Sequence, residues 1–307
     1  MIAVGGFNSA IDKFADVDEM TAGAVIRMRN VRPLAGGKGL HVAAACSTLG
    51  ESATLVGLSD VATRRLFEEA LHAAGGRFVG VDADGPVRTC LALRDPAGRL
   101  TELLEPGPTA SASTAEALRA AFAAEAAAAS FSALSGSLPP GLPPNTYADL
   151  IARADRSRVA LDTSGAALAH GIDAGPLLIK PNRQEAGQLL GCAIETLEQA
   201  AEAGRALAAR GPRIVVLSLG HEGALVHADG QSWLIRAPIV TARNTVGAGD
   251  CLLGGFLVGL ARSWNLETCA RYAVACGTAK VMHPETGVLT AADADTLVRS
   301  IVLEHIA

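Results

Sequence analysis

The sequence predicts an α/β fold with a mostly parallel central sheet that is covered by helices on both faces. Short apolar segments alternate with longer stretches of helical pattern along most of the chain, and this alternation is typical of parallel sheets. The apolar segments are hydrophobic almost throughout, as strands buried on both faces require. Polar or glycine-rich motifs follow these strands, which gathers them at one edge of the sheet.

The regular elements follow from the apolar segments and the helical patterns between them. The predicted strands span residues 2–6, 53–57, 131–134, 158–161, 177–179 and 214–218. The predicted helices lie near residues 38–49, 61–73, 113–129, 144–154, 182–190, 195–210, 248–262, 266–281 and 291–304. Because 50% of the 307 residues are hydrophobic, the chain can bury a large core.

Two segments, 14–34 and 86–104, have strand character but do not fit the α/β alternation. The second predicts a hairpin of residues 87–94 and 99–104 around the turn sequence Asp-Pro-Ala-Gly. Together the two segments could form a small separate sheet, and such a sheet beside a parallel core is a natural lid. Another hairpin is expected at residues 223–227 and 232–236.

Composition excludes several classes of function. The formal charge of −5 gives no global field for binding nucleic acid or an acidic membrane. No apolar run is long enough to span a bilayer, and the first residues do not resemble a signal peptide, so we expect a cytoplasmic protein. The histidines and cysteines form no metal-binding cluster, and several of the cysteines lie in apolar helical context, where we expect buried free thiols. The cysteines are Cys46, Cys90, Cys192, Cys251, Cys269 and Cys276.

The most informative segment reads Asn-Thr-Val-Gly-Ala-Gly-Asp from Asn244 to Asp250 and is followed by an apolar helix. A Gly-x-Gly turn that opens a helix presents free backbone N–H groups at the positive end of the helix dipole, which predicts an anion site. Asp250 beside this site would repel the anion, so its carboxylate suggests a base that takes a proton from a hydroxyl. The alternative is an acid that merely favours the first helical turn.

A second glycine-rich turn, residues 35–39, also precedes a helix and contains Lys38. It is not a Walker A loop, which needs glycine where Arg32 stands and Ser or Thr where Gly39 stands. No acidic residue lies between Glu19 and Glu51, whereas Arg27, Arg29, Arg32 and Lys38 do. The basic stretch suggests a site for an anionic substrate, although basic residues also protect exposed strand edges.

Further polar motifs follow other predicted strands. Asp12 comes soon after the first strand and could accept hydrogen bonds from sugar hydroxyls, or it could be a turn or cap residue. Asn182 and Glu185 resemble a helix capping box, or alternatively a polar patch that organises Mg²⁺ beside a triphosphate. The remaining motifs are residues 135–141 and the glycine-rich turn that contains Ser218, Gly220 and Gly223.

The order of these motifs resembles the PfkB-type sugar kinases of the ribokinase fold, and it is most similar to the branch that contains 1-phosphofructokinase and tagatose-6-phosphate kinase. The resemblance covers essentially the whole chain, and residues 36–39 and 244–250 are close to family signatures. It implies a single kinase domain over residues 1–307 with a three-layer α/β/α arrangement and a small β-sheet lid. It also implies a homodimer that pairs through the lid.

The resemblance further implies ATP and Mg²⁺ as cofactors and assigns roles to individual residues. Asp250 would be the catalytic base, and the amides of Gly247, Ala248 and Gly249 would bind the transferring phosphoryl group. The sugar or its phosphate would contact residues on the sheet edge and on the lid, namely Asn8, Asp12, Gly37, Lys38, His41, Arg88, Cys90 and Ser137. The nucleotide would contact Lys180, Asn182, Glu185, Ser218, Gly220, Gly223 and Thr278, with Glu185 holding Mg²⁺ through water.

The chain departs from the family pattern at four positions. His41 and Cys90 stand where the family has asparagine, Cys251 stands where Ser or Ala is usual, and Ser9 replaces a proline. A protonated His41 could bind a phosphate ester, or His41 could simply turn toward the core. The sequence therefore leaves three functions open: a kinase for a phosphorylated ketose, a kinase for a neutral sugar or nucleoside, and a non-catalytic sensor of a sugar or nucleotide.

Overall fold

The computed structural model describes residues 1–306 and contains a ten-stranded sheet and a separate four-stranded sheet. The strands of the large sheet, in chain order, are β1 (Ile2–Gly5), β4 (Ala53–Ser59), β5 (Arg77–Asp82), β8 (Phe131–Ser135), β9 (Val159–Asp162), β10 (Leu178–Ile179), β11 (Ile214–Ser218), β12 (Ala224–Ala228), β13 (Gln231–Arg236) and β14 (Val302–Ile306). The strands of the small sheet are β2 (Ala10–Asp16), β3 (Arg29–Gly36), β6 (Arg88–Arg94) and β7 (Leu100–Leu104).

Helices cover both faces of the large sheet. One face carries α1 (Lys38–Thr48), α2 (Arg64–Ala73), α8 (Ala248–Ala261), α9 (Leu266–Met282) and α10 (Ala291–Leu297). The other face carries α3 (Ala112–Ala128), α4 (Thr146–Arg153), α5 (Gly165–Asp173), α6 (Arg183–Leu190) and α7 (Leu197–Ala208). Each layer of helices packs on its own apolar cluster, so the expected three-layer α/β/α arrangement is confirmed. No helix within residues 1–306 is both long enough and apolar enough to cross a membrane.

The large sheet is mostly parallel, as predicted. Its strand order is β14-β13-β12-β11-β10-β9-β8-β1-β4-β5, and all strands from β11 to β5 in this order run parallel to their neighbours. The other three strands are antiparallel, and β12 and β13 form the predicted second hairpin. Because parallel strands all end at the same edge, the motifs that follow them lie close together.

The small sheet has the strand order β3-β2-β6-β7 and contains the predicted hairpin of β6 and β7. The central strands β2 and β6 run parallel, which places Asp12 opposite Cys90. The bounds of its first two strands differ from the predicted segment 14–34. Strand β2 begins earlier, at Ala10, and β3 ends later, at Gly36. Pairing with β6 extends β2 toward β1, and it carries Asp12 into the lid.

Three other expectations about elements were incomplete or wrong. Strand β5 and helix α5 were not predicted, and the last helix was predicted to extend to residue 304. That helix ends at Leu297, and residues 302–306 pair with β13 as an edge strand. Half-exposed, mixed polar residues in this stretch gave no strand pattern, and the pairing that makes it a strand comes from a distant part of the chain.

Helix α8 lies buried between α1 and α9, and its glycines explain how closely the three helices approach. A Cβ atom on Gly254 would lie 2.7 Å from Cβ of Ala45, and one on Gly255 would lie 2.7 Å from Sγ of Cys276. Only glycine permits these contacts without displacing a neighbouring helix. The buried packing fixes where the N-terminus of α8 points, which is into the cleft between the two sheets.

Candidate active site

A cavity of about 590 Å³ lies between the carboxyl edge of the large sheet and the lid. The turns after β9, β10 and β11 and the N-termini of α1 and α8 form its sheet side, while β2, β6 and β7 form its lid side. The titratable groups that line it are Asp12, Lys38, His41, Arg88, Cys90, Glu102, Lys180, Glu185 and Asp250. Residues from six regions of the sequence therefore face one space.

A second cavity, of about 620 Å³, adjoins the first and is mainly apolar. Four of the predicted nucleotide-site residues line it, namely Ser218, Gly220, Gly223 and Thr278. Its apolar walls come from residues 237–240 and from the faces of α8 and α9. The two cavities meet at Ser218, Thr245 and Gly249, so a ligand with an apolar ring system at one end and an anionic group at the other would cross beside the N-terminus of α8.

The glycine turn before α8 has the geometry that the sequence predicts. Gly247 is the N-cap and has φ 86°, a left-handed conformation in which glycine avoids steric strain. The side-chain oxygen of Asn244 accepts a hydrogen bond from the amide of Val246 at 2.9 Å, which holds the turn before Gly247. Of the three amides expected to bind an anion, that of Ala248 donates to the carbonyl of Thr245 at 3.2 Å. In this conformation the amides of Gly247 and Gly249 are the two that remain to bind an anion.

His41 connects the two carboxylates on which the predicted chemistry depends. Its Nδ1 atom lies 2.9 Å from Oδ2 of Asp250, and its Nε2 atom lies 3.2 Å from Oδ2 of Asp12. Burial alone would lower the pKa of His41, but the carboxylates of Asp12 and Asp250 outweigh burial and raise this pKa to about 10. His41 is therefore a cation at neutral pH, and its ring points into the site rather than into the apolar core.

Asp250 is 6% exposed and is held as a carboxylate by neighbouring cations. Burial alone would raise its pKa, but the hydrogen bond and the charge of His41, together with the charges of Lys38 and Lys180, lower it. A buried carboxylate that stays ionised beside a helix N-terminus can accept a proton from a hydroxyl group placed next to it.

Two lysines extend this network toward the second cavity through Asp162, at the end of β9. Asp162 lies 3.3 Å from Nζ of Lys180 and 3.7 Å from Nζ of Lys38. The Asp162 carboxylate raises the pKa of Lys38 above its ordinary value. A Cβ atom on Gly249 would lie 3.2 Å from Nζ of Lys180, so this ammonium stands directly beside the amides of the α8 turn.

Asn182 and Glu185 form the capping box of α6 and also line the cavity. The amide of Glu185 donates to Oδ1 of Asn182 at 2.8 Å, and the amide of Asn182 donates to Oε2 of Glu185 at 2.9 Å. The other oxygen of Glu185 lies 3.9 Å from Nζ of Lys38. The capping interpretation is thus confirmed, and it leaves one carboxylate oxygen of Glu185 directed into the cavity.

The donor set suits Mg²⁺ held chiefly by phosphates and water. Within residues 1–306 no group of three or more His, Cys, Asp or Glu side chains could hold a metal ion alone. Asp162 is fully buried, and neither of its oxygens has a well-formed hydrogen bond within the same residues. Two nearby carboxylates, Asp162 and Glu185, fit a hydrated Mg²⁺, which commonly binds one or two carboxylates together with substrate phosphates.

The lid contributes Arg88, Cys90 and Glu102 to the cavity. The guanidinium of Arg88 donates to the carbonyls of Glu105 at 3.2 Å and Asn8 at 3.1 Å, while its Nε atom is buried without a partner within residues 1–306. Partial desolvation, and then the charges of Asp12 and Asp250, raise the pKa of Glu102. The lid therefore brings both a cation and a carboxylate to the substrate.

The other predicted substrate residues lie at the sheet edge. Asn8 is buried, and its amide donates to Oγ of Ser137 at 3.0 Å, which joins the ends of β1 and β8. Gly37 packs against the start of β2 and leaves its amide 3.5 Å from Oδ2 of Asp12. Of the basic stretch 27–38 only Lys38 lines the cavity. Arg29 instead pairs with Asp18 at the lid surface.

Four residues were not predicted, namely the buried Asp162, which lies beside Lys38 and Lys180, and Thr163, Ser164 and Glu102, which line the cavity. The first three directly follow a predicted strand, so the rule that located the other motifs could have found them. Glu102 had no comparable signal, because its position depends on how the lid hairpin folds over the sheet. The apolar second cavity was not predicted either, since residues 237–240 carry no distinctive motif.

Comparison with known proteins gives a family for this arrangement. The model of the pfkB family carbohydrate kinases matches residues 2–292.

The chain belongs to the pfkB family of carbohydrate kinases.

Two relatives and one solved structure illustrate the likeness. The chain is 36% identical over 278 residues to a 1-phosphofructokinase of Rhodobacter capsulatus, covering 89% of this chain and 88% of the relative. It is 28% identical over 306 residues to a tagatose-6-phosphate kinase of Staphylococcus epidermidis, covering 98% of both. The structure of phosphofructokinase-2 from Escherichia coli in complex with potassium superposes with a TM-score of 0.87 at 25% identity, covering 97% of this chain and 98% of that one.

These findings confirm the expected fold class and the expected phosphotransferase activity of a carbohydrate kinase. They give the site a chemical context, because a kinase must bring a hydroxyl group and a terminal phosphoryl group together in a space that excludes water. The two adjoining cavities and the turn between them offer such a space.

Proposed function

We propose that this carbohydrate kinase transfers the γ-phosphoryl group of ATP to a hydroxyl group of a phosphorylated ketose, as the names of its relatives suggest. The observation that carries the proposal is the position of Asp250. This buried carboxylate lies at the N-terminus of α8, where an apolar cavity meets a polar one. A base between a nucleotide site and a sugar site is what phosphoryl transfer to an alcohol requires.

In this proposal the sugar hydroxyl lies against Asp250, which accepts its proton as the bond from the hydroxyl oxygen to the γ-phosphorus forms and the bond from that phosphorus to ADP breaks. Asp12, on the other side of His41, accepts hydrogen bonds from other hydroxyl groups of the sugar. Because His41 contacts both carboxylates, it fixes the distance between them. The ring therefore orients the base relative to the sugar before the nucleotide arrives.

The transferring phosphoryl group lies at the α8 turn. The amides of Gly247 and Gly249 and the helix dipole stabilise the charge that develops on its oxygens. The amide of Ala248 can join them if it exchanges its hydrogen bond to Thr245 for one to the phosphoryl group. Lys180, beside Gly249, neutralises part of the charge of the nucleotide phosphates.

Asp162 and Glu185 are the residues that would hold Mg²⁺, through water, beside the phosphates. When bound, Mg²⁺ would reduce the negative charge that the hydroxyl must approach. The ammonium of Lys38 lies 3.7 Å from Asp162 and 3.9 Å from Glu185. It therefore orients both carboxylates before Mg²⁺ binds. The apolar second cavity holds the adenine, with Ser218, Gly220, Gly223 and Thr278 around it.

The sugar phosphate group lies at the lid end of the cavity, beside the side chain of Arg88. One observation favours the second candidate, a kinase for a neutral sugar. The two terminal nitrogens of Arg88 already donate to backbone carbonyls. Glu102 also brings a carboxylate to the same cavity, where it would repel a phosphate. Arg88 would then position the lid instead of binding the substrate.

The lid also suggests how two subunits associate. Its surface exposes several large apolar side chains, namely Met20, Val25, Met28, Val31, Leu103 and Leu104. Exposed apolar patches on a soluble domain commonly mark protein interfaces. We infer that two lids pair in a homodimer, which light scattering coupled to size-exclusion chromatography would test on Val25→Glu and on Ile239→Glu, a control outside the lid.

One assay tests the proposed substrate. Purified protein is incubated with MgATP and matched pairs of sugars, such as fructose with fructose 1-phosphate and tagatose with tagatose 6-phosphate, and ADP formation is measured. We expect kcat/KM for one phosphorylated ketose to exceed that for its free sugar by about two orders of magnitude, since one charge-assisted contact contributes a few kcal/mol. Equal values would support a neutral substrate, and no sugar-dependent ADP formation would support a sensor.

A further inference from the structure

Lys280 on α9 is a buried cation that the proposed chemistry does not use. Its side chain is 0% exposed, and its ammonium donates to the carbonyl of Asn244 at 2.9 Å and to the carbonyl of His283 at 3.4 Å. No carboxylate of residues 1–306 forms an ion pair with it, and burial lowers its pKa to about 8. A lysine buried with carbonyl partners alone is costly, so its place in the fold calls for a physical reason.

The two carbonyls belong to two loops that we call the phosphoryl loop, residues 243–247, and the return loop, residues 281–287. The phosphoryl loop leads directly into the Gly247 turn of α8. The loops are joined by further hydrogen bonds, since the amide of Arg243 donates to the carbonyl of Val281 at 2.9 Å and the side chain of Asn244 donates to the carbonyl of Pro284 at 3.1 Å. Lys280 is the cation at this junction.

The return loop in turn supports the active site. A Cβ atom on Gly247 would lie 2.8 Å from Cα of Gly287, and a Cβ atom on Gly287 would overlap the ring of His41. Gly287 therefore packs between the phosphoryl-binding turn and the histidine that holds Asp250. A displacement of the return loop would therefore shift both the Gly247 turn and the ring of His41 directly.

We propose that Lys280 is a positioning residue whose ammonium holds the phosphoryl loop and the return loop together behind Gly247. The inference rests on the proposed function. Two carbonyl oxygens that point at one buried spot repel each other and need a donor. The ammonium supplies both hydrogen bonds and a positive charge, so it fixes the amides of the α8 turn and the ring of His41 before substrates bind. Preorganised groups of this kind contribute mainly to kcat.

The first test replaces the ammonium by an apolar group of similar length in Lys280→Met. We expect kcat to fall by about tenfold or more, while KM for MgATP and for the sugar stays within roughly twofold, because the lost interaction acts in the transition state. Tyr272→Phe is the matched control, since it removes one hydrogen bond of α9, to Asp295, away from both loops. Its kcat should equal that of the wild type.

The second test asks whether a free cation can replace the missing one. Lys280→Ala leaves space at the two carbonyls, and ammonium chloride should raise its kcat by roughly fivefold or more over tetramethylammonium chloride of equal ionic strength. Ammonium should also raise the melting temperature of Lys280→Ala, and it should change neither quantity in the wild type or in Tyr272→Phe. The thermal shift does not depend on activity.

Three results would overturn the inference. Lys280→Met could keep kcat within twofold of the wild type per folded molecule, Lys280→Ala could show no response to ammonium in either measurement, or Tyr272→Phe could lose as much kcat as Lys280→Met. Should Lys280→Met not fold, Lys280→Gln is measured instead, because its amide donates to the same carbonyls without a charge. A wild-type protein that phosphorylates no sugar would contradict the proposed function, which is a separate outcome.

Discussion

Nδ1 of His41 lies 2.9 Å from Oδ2 of Asp250, so the base proposed for the reaction is already paired with a cation before any substrate binds. The same ring reaches Asp12, which places two carboxylates and one imidazolium in a row across the sugar side of the cavity. An asparagine, which the family resemblance places at position 41, could hold both carboxylates by hydrogen bonds but would carry no charge. The histidine therefore changes the electrostatics of the site more than its geometry.

We predict that His41→Asn moves the acid limb of the pH profile of kcat to higher pH. The charge and hydrogen bond of His41 help to lower the pKa of Asp250, so removing the charge lets Asp250 protonate at a higher pH than in the wild type. The measurement is kcat as a function of pH for both proteins at saturating substrates. An unchanged acid limb would show that the Asp250–His41 pair does not control the base.

The pKa of His41 also predicts how stability depends on pH. In the folded protein this pKa is raised to about 10 from the ordinary value of 6.5, so the stabilisation that His41 provides is complete below pH 6.5 and is lost as pH rises through 10. The difference in unfolding free energy between wild type and His41→Asn should shrink across this window, by at most about 1.4 kcal/mol per pH unit. Urea unfolding at several pH values measures it, and a constant difference would contradict it.

Asp250→Asn tests the base itself. We expect kcat to fall by about 10²- to 10⁴-fold, which is the usual contribution of a general base, while binding of MgATP measured by calorimetry is retained. Asp149→Asn is the matched control, because Asp149 is also an acid in the first turn of a helix, α4, but is exposed and does not line the cavity. If both variants keep near-wild-type kcat, Asp250 is only a first-turn acid.

The location of Asp250 could be predicted from the sequence, whereas its partners could not. A glycine turn before an apolar helix is a local pattern, and the ends of apolar strands locate Lys180, Glu185 and Ser218 in the same way. The contact of Asp250 with His41 joins residues 209 positions apart, and it depends on how α1 and α8 pack. No spacing in the sequence encodes that packing, although the glycines of α8 permit it.

The same distinction explains the errors in the fold. Strands that are buried on both faces, such as β4 and β11, can be predicted from their continuous apolar sequence. Strand β14 is partly exposed and becomes a strand only because β13 offers a free edge. The lid could be predicted only in part. The turn of its hairpin was recognisable in the sequence, but the start of β2 depends on pairing with β6.

Arg88→Ala distinguishes the two candidate substrates. If the guanidinium of Arg88 binds the phosphate of the sugar, the variant should raise KM for the phosphorylated ketose by about tenfold or more and leave KM for ATP unchanged, since a hydrogen bond to a charged group contributes about 1.5–3 kcal/mol. Arg94→Ala is the control, because Arg94 lies on the same strand but pairs with Asp16. A lower kcat with unchanged KM would instead identify Arg88 as a lid-positioning residue.

Gly254→Ala tests whether close packing of α1 against α8 holds the base in place. The added Cβ would lie 2.7 Å from Cβ of Ala45, so the helices must separate, at a cost of about 1–3 kcal/mol in unfolding free energy. Separation also draws His41 on α1 away from Asp250 on α8, and kcat should fall with stability. The second substitution Ala45→Gly removes the clash, and the double variant should recover both the melting temperature and kcat. Recovery of stability without recovery of kcat would mean that the helix separation does not reach the His41–Asp250 pair.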